Sequence, residues 1–198
     1  MPPRRAAPTL SGPPDEAALY DAAMAHVARY ATTQAGLARV LNRRVDRWAR
    51  AAGETHDDPE GLAAAVAGAR LAVRAVVARL VALGAVNDAA FAASRARSLG
   101  RAGRSRVAVA AHLAAHGVAK ETAQAALPDD PAAELGAAVL LARRRRIGPF
   151  RRSEADSEIR RRELGMLARA GFPQPVAEAA LGMPPDEAEA LVLRLRRT

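Results

Sequence analysis

Two fifteen-residue stretches of this chain resemble each other and decide the fold that the sequence predicts. They are "LAAHGVAKETAQAAL" at Leu113–Leu127 and "LARAGFPQPVAEAAL" at Leu167–Leu181, and they match at seven of fifteen positions. Four of the matches are alanine, which is common in this chain. The other three pair Leu113 with Leu167, Gly117 with Gly171, and Leu127 with Leu181. Such self-similarity at a fixed spacing is typical of internal structural repeats.

Each copy reads as the end of a helix, a glycine that stops it, an apolar residue, a short helix and a closing leucine. With one further helix before it, each copy becomes a three-helix unit, and the first third of the chain has three helical segments of its own. The sequence therefore predicts an all-α fold, an elongated tandem array of three three-helix repeats. The predicted divisions are a disordered tail over 1–14, repeats over 15–83 (with an insertion at 51–60), 84–127 and 130–182, and a C-terminal helix over 186–198.

The longest predicted helix runs from Pro59 to Leu83. Its valines also suit a strand, but the run is too long for one strand and its apolar residues have helical spacing. The residues expected on its buried face are Leu71, Val73, Val76, Val77, Leu80, Val81 and Leu83. Tyr30 and Trp48 are expected at core-like positions of the two preceding helices.

The boundaries between repeats contain residues that typically end one helix and begin the next. Glycine is the usual residue just after a helix, and Asn or Asp is a preferred N-cap, so Gly84 ends the first repeat and Asn87 or Asp88 caps the next helix. Aromatic residues then anchor the second and third repeats. The residues expected to define the repeats are Gly84, Asp88, Phe91, Gly117, Gly171 and Phe172.

The charge balance indicates a polyanionic partner. The 198 residues include 30 Lys and Arg against 21 Asp and Glu, a net charge of +9, and Lys120 is the only lysine. Such an excess favours nucleic acid, or a protein assembly that holds it, as the partner. A GC-rich genome also encodes chains rich in Ala, Arg, Gly and Pro, so arginine in place of lysine does not by itself indicate phosphate recognition.

Composition excludes several classes of protein. The chain has no cysteine, which rules out disulfides, thiol catalysis and thiolate-bound zinc. No run approaches about 18 uncharged apolar residues. The N-terminal "MPPRRAAPTLSGPP" has no apolar core after its arginines and does not read as a secretory signal. A cytoplasmic location is expected.

Four motifs in a fixed order resemble the RecX family of regulatory proteins. They are "GxVNDxxFA" at Gly84–Ala92, "GRSR" at Gly103–Arg106, "LARRRRIGPF" at Leu141–Phe150, which is similar to alphaproteobacterial members, and "ELGMLARAGF" at Glu163–Phe172. The resemblance covers residues 15–182 and implies three tandem three-helix repeats. It also implies a protein that binds the RecA recombinase filament on DNA and inhibits it, with no catalytic residues. The first repeat departs from the family pattern at "TTQAGLARVL".

Catalytic and metal chemistry find little support in the sequence. His112 and His116 have the i, i+4 spacing of two metal ligands, but residue 113 is Leu and residue 114 is Ala, so the HExxH form is absent. No phosphate-binding loop of the GxxxxGK[ST] type is present, so any ATP involved belongs to the partner. We expect no catalytic residue, no metal and no cofactor.

Arginine clusters are the candidate binding residues. Consecutive arginines on a helix point about 100° apart, so part of each run is simply solvated. The remainder can pair bidentately with DNA phosphates or with acidic side chains of a protein. The candidates are Arg143, Arg144, Arg145, Arg146, Arg151 and Arg152 in one cluster and Arg101, Arg104 and Arg106 in the other.

Three hypotheses follow. The first is a non-enzymatic, monomeric inhibitor of the RecA–DNA filament. The second is a generic basic DNA-binding protein that acts only by competing for DNA. The third is a metal-dependent enzyme using His112 and His116.

Overall fold

The computed structural model describes residues 12–54, 58–127 and 129–197, without the side chains of residues 196 and 197. Most of the predicted tail (1–11) and the middle of the predicted insertion (55–57) lie outside the described residues. Within them the chain forms ten α-helices, one 3₁₀ turn and no β-strand, which confirms the all-α class of helical repeats. The chain divides into two compact units between Asp88 and Ala89.

The first unit is a bundle of three helices. They are α1 (Glu16–Val27), α2 (Gln34–Gly53) and α3 (Pro59–Ala82). Each follows a residue whose side chain accepts a backbone N–H of the first turn: Asp15, Thr33 and Asp58. Such caps satisfy N–H groups that have no partner inside the helix. The fully buried core residues include Leu19, Leu37, Leu41, Val45, Val73, Val76 and Leu80.

Three residues expected in the core of this unit are exposed, and those predictions were wrong. Leu71 is 58% exposed because it stands nine residues before Leu80, which puts the two on opposite faces of α3. Leu83 is 64% exposed, since α3 ends at Ala82. Tyr30 is 61% exposed beyond the end of α1, with its ring centroid 5.2 Å from that of His26.

The segment that follows α3 ties its end to the start of α2. Gly84 has a left-handed backbone with φ of 70°. Two residues later, Val86 is buried in the core of the first unit. Asp88 is the first residue of α4, and its carboxylate accepts the backbone N–H of Gln34 at 2.8 Å. Asp88 thus supplies an acceptor to the exposed N-terminus of α2.

The second unit contains seven α-helices, except that Asp88, the first residue of α4, belongs to the first unit. They are α4 (Asp88–Arg101), α5 (Arg106–Ala115), α6 (Lys120–Ala126), α7 (Pro131–Arg145), α8 (Ser157–Arg169), α9 (Gln174–Gly182) and α10 (Pro185–Arg197), with the 3₁₀ turn at Gly148–Phe150. Helices α4–α6 surround one core, which includes Phe91. Helices α7–α9 surround a second, which includes Leu167 and Phe172. Ala188 and Val192 of α10 are fully buried in that second core, so α10 is a fourth helix on the third repeat.

The repeated sequence forms the same turn twice. Leu113 and Leu167 are fully buried, and their carbonyls accept the backbone N–H of Val118 and Phe172, each at 3.1 Å. The glycine inside each turn is left-handed, with φ of 80° in one copy and 89° in the other. Val118 and Phe172 then enter the cores of their own repeats. The likeness between the two stretches is therefore structural.

Candidate functional site

The second unit contains all nine arginines predicted to contact a partner, and the structure divides them into two groups. Four are held by partners within the unit: Arg106, Arg143, Arg144 and Arg151. Five have exposed side chains without a hydrogen bond or ion pair to the residues that the structure describes: Arg101, Arg104, Arg145, Arg146 and Arg152. The second group is available to bind a partner without loss of an internal contact.

Arg106 belongs to a turn that joins the second repeat to the third. Its guanidinium lies 2.8 Å from the Asp129 carboxylate, and its backbone N–H donates to the Glu134 carboxylate at 3.0 Å. Burial raises the pKa of Glu134, although this N–H bond and the charge of Arg106 oppose the rise. Ser105, fully buried, accepts the N–H of Ala108 and donates its hydroxyl to the Ala170 carbonyl at 2.6 Å. The "GRSR" motif is thus largely structural.

The last turn of α7 is also partly structural. Arg143 is half-buried and lies 3.6 Å from the Glu189 carboxylate of α10. Arg144 donates from Nη1 to the backbone carbonyl of Ala102 at 3.0 Å, which satisfies a carbonyl beyond the end of α4. The Arg145 side chain makes neither an ion pair nor a hydrogen bond with the described residues. Consecutive arginines therefore divide between internal contacts and solvent, as their angular separation requires.

Arg151 is fixed by a buried carboxylate. The Glu163 side chain is 5% exposed, and it accepts from Arg151 Nε at 3.2 Å and from Arg151 Nη2. The same carboxylate accepts the backbone N–H of Gly148 at 3.2 Å. Glu163 therefore holds the 3₁₀ turn and the chain after it against α8.

Arg146 has the unusual backbone of this surface. Its φ of 58° is the only positive φ of a non-glycine residue among the described residues, whereas α3, α4, α5 and α8 are each followed by a left-handed glycine. A left-handed conformation costs an L-residue about 1–2 kcal/mol. Strain of this kind is concentrated at functional sites. A left-handed residue also commonly ends a helix, as Arg146 ends α7. What makes Arg146 a candidate for contact with a partner is its exposed side chain, which has no hydrogen bond or ion pair among the described residues.

Four arginines surround a single cleft of about 360 Å³ in the second unit. They are Arg104 before α5, Arg144 and Arg145 at the end of α7, and Arg169 at the end of α8. The sequence did not predict Arg169. The signal in the sequence that could have pointed to Arg169 is Gly165, a glycine inside a helix four residues earlier. In the structure, a Cβ added at Gly165 would lie 3.2 Å from Arg169 Nη1.

Two histidines stack at the C-terminal end of α5. The ring centroids of His112 and His116 are 4.2 Å apart, and His116 Nδ1 lies 2.8 Å from the His112 carbonyl. The Nε2 atom of His112 is buried without a hydrogen-bond partner among the described residues. Burial lowers the pKa of His112, and the charges of His116, Arg95 and Arg104 lower it further.

We expect the second unit to lose stability as the pH falls below about 6.5, the ordinary histidine pKa. Because the folded pKa of His112 is lowered, the unfolded chain binds the proton more tightly, so this contribution is present above that pH and lost below it. Urea midpoints at neutral and mildly acidic pH test this. His112→Gln should show a shallower pH dependence, and an unchanged dependence would contradict the assignment.

Neither a metal cluster nor a membrane-spanning role finds support in the described residues. Among them, no group of three or more His, Asp or Glu side chains is arranged to hold a metal ion. Helix α3 is long and apolar enough to cross a membrane by length and composition alone. The run of uncharged apolar residues considered above does not include α3, because α3 contains Arg70 and Arg74. In addition, Val73, Val76 and Leu80 of α3 lie in the core of the first unit.

Comparison with known proteins agrees with this architecture. A family model described as the second three-helix domain of RecX matches residues 87–127, the segment that contains α4–α6. A protein of Myxococcus xanthus named "Regulatory protein RecX" is 37% identical over 92% of this chain and 90% of its own. Proteins of the same name from Agrobacterium fabrum and Mycobacterium marinum are 40% and 42% identical over 53% and 52% of this chain, and over 56% and 60% of their own. The chain belongs to the RecX family of regulatory proteins.

Proposed function

We propose that this protein is a non-enzymatic cytoplasmic regulator that binds the RecA–DNA filament and inhibits its ATPase, its strand exchange and its growth. It would thereby modulate homologous recombination and DNA repair. The observation that carries the proposal is a group of five exposed arginines on the second unit of a RecX-family chain, whose side chains have no partner among the described residues. The helical repeats would lie in the groove of the filament, where these arginines meet DNA phosphates and acidic protein surface. Occupancy would block the addition of subunits and the motion between subunits that ATP hydrolysis requires.

The first test is the DNA-dependent ATPase of RecA in the presence of the purified protein. Inhibition at stoichiometric amounts is expected, and unchanged turnover would refute the proposal.

Charge reversal of Arg145 and Arg146 to Glu should raise the half-inhibitory concentration about tenfold or more, which corresponds to about 1.4 kcal/mol. Neither side chain has an internal partner among the described residues, so the expected loss of stability is limited to about 1–2 kcal/mol from placing two carboxylates at the negative end of α7.

Reversal of Arg160 and Arg161 to Glu provides the matched control. Both are exposed on α8, outside the predicted clusters, and neither is paired with a described residue. The control changes the net charge by the same amount, so it should leave inhibition nearly unchanged. Equal loss in both pairs would reduce the effect to overall charge.

The net charge of +9 also favours a second candidate, a basic protein that acts only by competing for DNA. That candidate predicts tight and strongly salt-dependent binding to bare DNA without RecA. Filament regulation predicts higher affinity for the RecA–DNA filament than for bare DNA at physiological salt. The ratio of the two affinities distinguishes the candidates.

A further inference from the structure

We propose that the cleft lined by Arg104, Arg144, Arg145 and Arg169, the four-arginine cleft, binds one phosphodiester group of single-stranded DNA. This deepens the proposed function, because it assigns a DNA contact to a particular site within the second unit. It rests on that function only for its cellular role, since the binding itself is measurable without RecA.

The walls of the cleft contain four positively charged side chains and no negatively charged one. Ten residues line it, and besides the four arginines they are Gly103, Leu141, Ile147, Met166, Leu167 and Ala170. No carboxylate is among them. Like charges brought together in this way repel one another, and an anion between them turns the repulsion into attraction. The arrangement therefore favours an anionic ligand.

Among the described residues, only one of the four arginine side chains makes a hydrogen bond to a carbonyl at a helix end. Helices α4, α7 and α8 all end near the cleft, and arginines commonly compensate the negative C-terminal end of a helix. Arg144 does this by donating to the Ala102 carbonyl. The side chains of Arg104, Arg145 and Arg169 donate no hydrogen bond to the described residues. Three guanidinium groups, each with five N–H donors, therefore remain available to a ligand.

Two glycines place these guanidinium groups. Gly103 is buried with φ of 71°, and a Cβ there would lie 3.0 Å from the backbone nitrogen of Leu141, so the chain before Arg104 is pressed against α7. Gly165 leaves the room beside α8 in which the guanidinium of Arg169 lies. A glycine inside a helix costs about 0.5–1 kcal/mol relative to alanine.

The number of unpaired donors favours a phosphodiester over a protein carboxylate. One bidentate guanidinium suffices for a carboxylate, as Arg151 and Glu163 illustrate in this chain. A phosphodiester presents two non-bridging oxygens in a tetrahedral arrangement, which several guanidinium groups can approach from different sides. Single-stranded DNA also carries further phosphates on either side, which the other exposed arginines can meet.

The test is the binding of a fluorescein-labelled oligothymidylate to the full chain, followed by anisotropy over a range of salt concentrations. Substitution of Arg104, Arg145 and Arg169 by Gln should weaken binding about tenfold or more. It should also reduce the slope of log affinity against log salt by about 0.7, the value for one phosphate contact on a single strand. The matched control replaces Arg74, Arg160 and Arg161 by Gln, which removes the same charge from exposed arginines outside the cleft.

Loss of affinity and slope in the first variant, with the control within about twofold of the wild type, supports the proposal. Equal weakening in both variants would overturn it in favour of general electrostatics. Unchanged DNA binding with weakened binding to DNA-free RecA would overturn it in favour of an acidic protein ligand. If circular dichroism shows that the Gln variant is unfolded, the matching Lys variant replaces it. Because lysine keeps the charge without the planar fork, the Lys variant should retain the salt slope and lose about threefold in affinity. Wild-type affinity of the Lys variant would overturn the proposal. Failure of RecA inhibition with these DNA results intact refutes the proposed function alone.

Discussion

Replacing Gly103 by alanine is expected to lower the free energy of unfolding of the second unit by about 3 kcal/mol. The residue has φ of 71°, a conformation that costs a non-glycine residue about 1–2 kcal/mol. The added Cβ would also lie 3.0 Å from the Leu141 nitrogen and 3.1 Å from the Ala137 carbonyl oxygen. Both atoms belong to the backbone of α7, which cannot move aside cheaply, and overpacking of this kind costs about 1–3 kcal/mol. Chemical denaturation followed by far-ultraviolet circular dichroism measures the loss.

Gly84→Ala is the matched control for this substitution. Gly84 has nearly the same backbone conformation, with φ of 70°, but a Cβ there would have no atom within 4 Å. Because Gly84 belongs to the first unit, that unit should lose only the conformational cost of about 1–2 kcal/mol. If the two variants lose the same stability, the close approach of Gly103 to α7 has no energetic weight, and the account of how Arg104 is positioned is wrong.

Helix ends were the features most accurately predicted from sequence, because they depend on neighbouring residues. Asp130 followed by Pro131 predicts an N-cap and a first helical residue, and the structure has both. Serine is a preferred N-cap residue, and the Ser105 side chain accepts the N–H of Ala108 in the first turn of α5. The repeated turns followed from glycine spacing for the same reason. A local pattern contains all the information that such a feature needs.

The division of the arginines could not be predicted, because it depends on contacts between distant residues. Arg106 and Asp129 are 23 positions apart, and Arg144 reaches a carbonyl 42 positions earlier. Angular separation on a helix shows that neighbouring arginines differ in environment. It does not show which one meets an acceptor, since that requires the packing of α7 against its neighbours.

Arg146 illustrates a limit of a different kind. The sequence gives no sign that the chain takes a left-handed turn after α7, because the other turns of this type contain glycine and this one contains arginine. The strain is visible only in the backbone. A rule that relies on glycine finds Gly171 and passes over Arg146.

Removal of the buried carboxylate of Glu163 should have the second large effect on stability. Glu163→Ala is expected to cost the second unit about 3 kcal/mol, the lower end of the range for breaking a buried ion pair. The substitution leaves the Gly148 N–H and the half-buried Arg151 guanidinium without their acceptor. The lower end applies because the Arg151 side chain is 23% exposed and water can partly replace the carboxylate. Urea denaturation followed by circular dichroism measures the change.

Glu158→Ala on the same helix is the control. Its carboxylate also pairs with an arginine, Arg162, but the two side chains are 56% and 71% exposed. Exposed pairs of this spacing contribute about 0.3–0.5 kcal/mol. A loss as small for Glu163→Ala as for Glu158→Ala would mean that Glu163 does not hold the 3₁₀ turn.

A double substitution separates the value of the Glu163–Arg151 pair from the cost of leaving one member alone. Replacing a buried ion pair by apolar residues is often nearly neutral, whereas removing one partner leaves a charge uncompensated. Arg151→Met combined with Glu163→Met should therefore be more stable than Glu163→Ala, although the Gly148 N–H still lacks its acceptor. If the double variant keeps the RecA inhibition that we propose for the wild type, Arg151 has a structural role. The proposed partner contacts of this segment are then made by Arg145, Arg146 and Arg152. Loss of inhibition in a folded double variant would instead indicate that Arg151 contacts the partner.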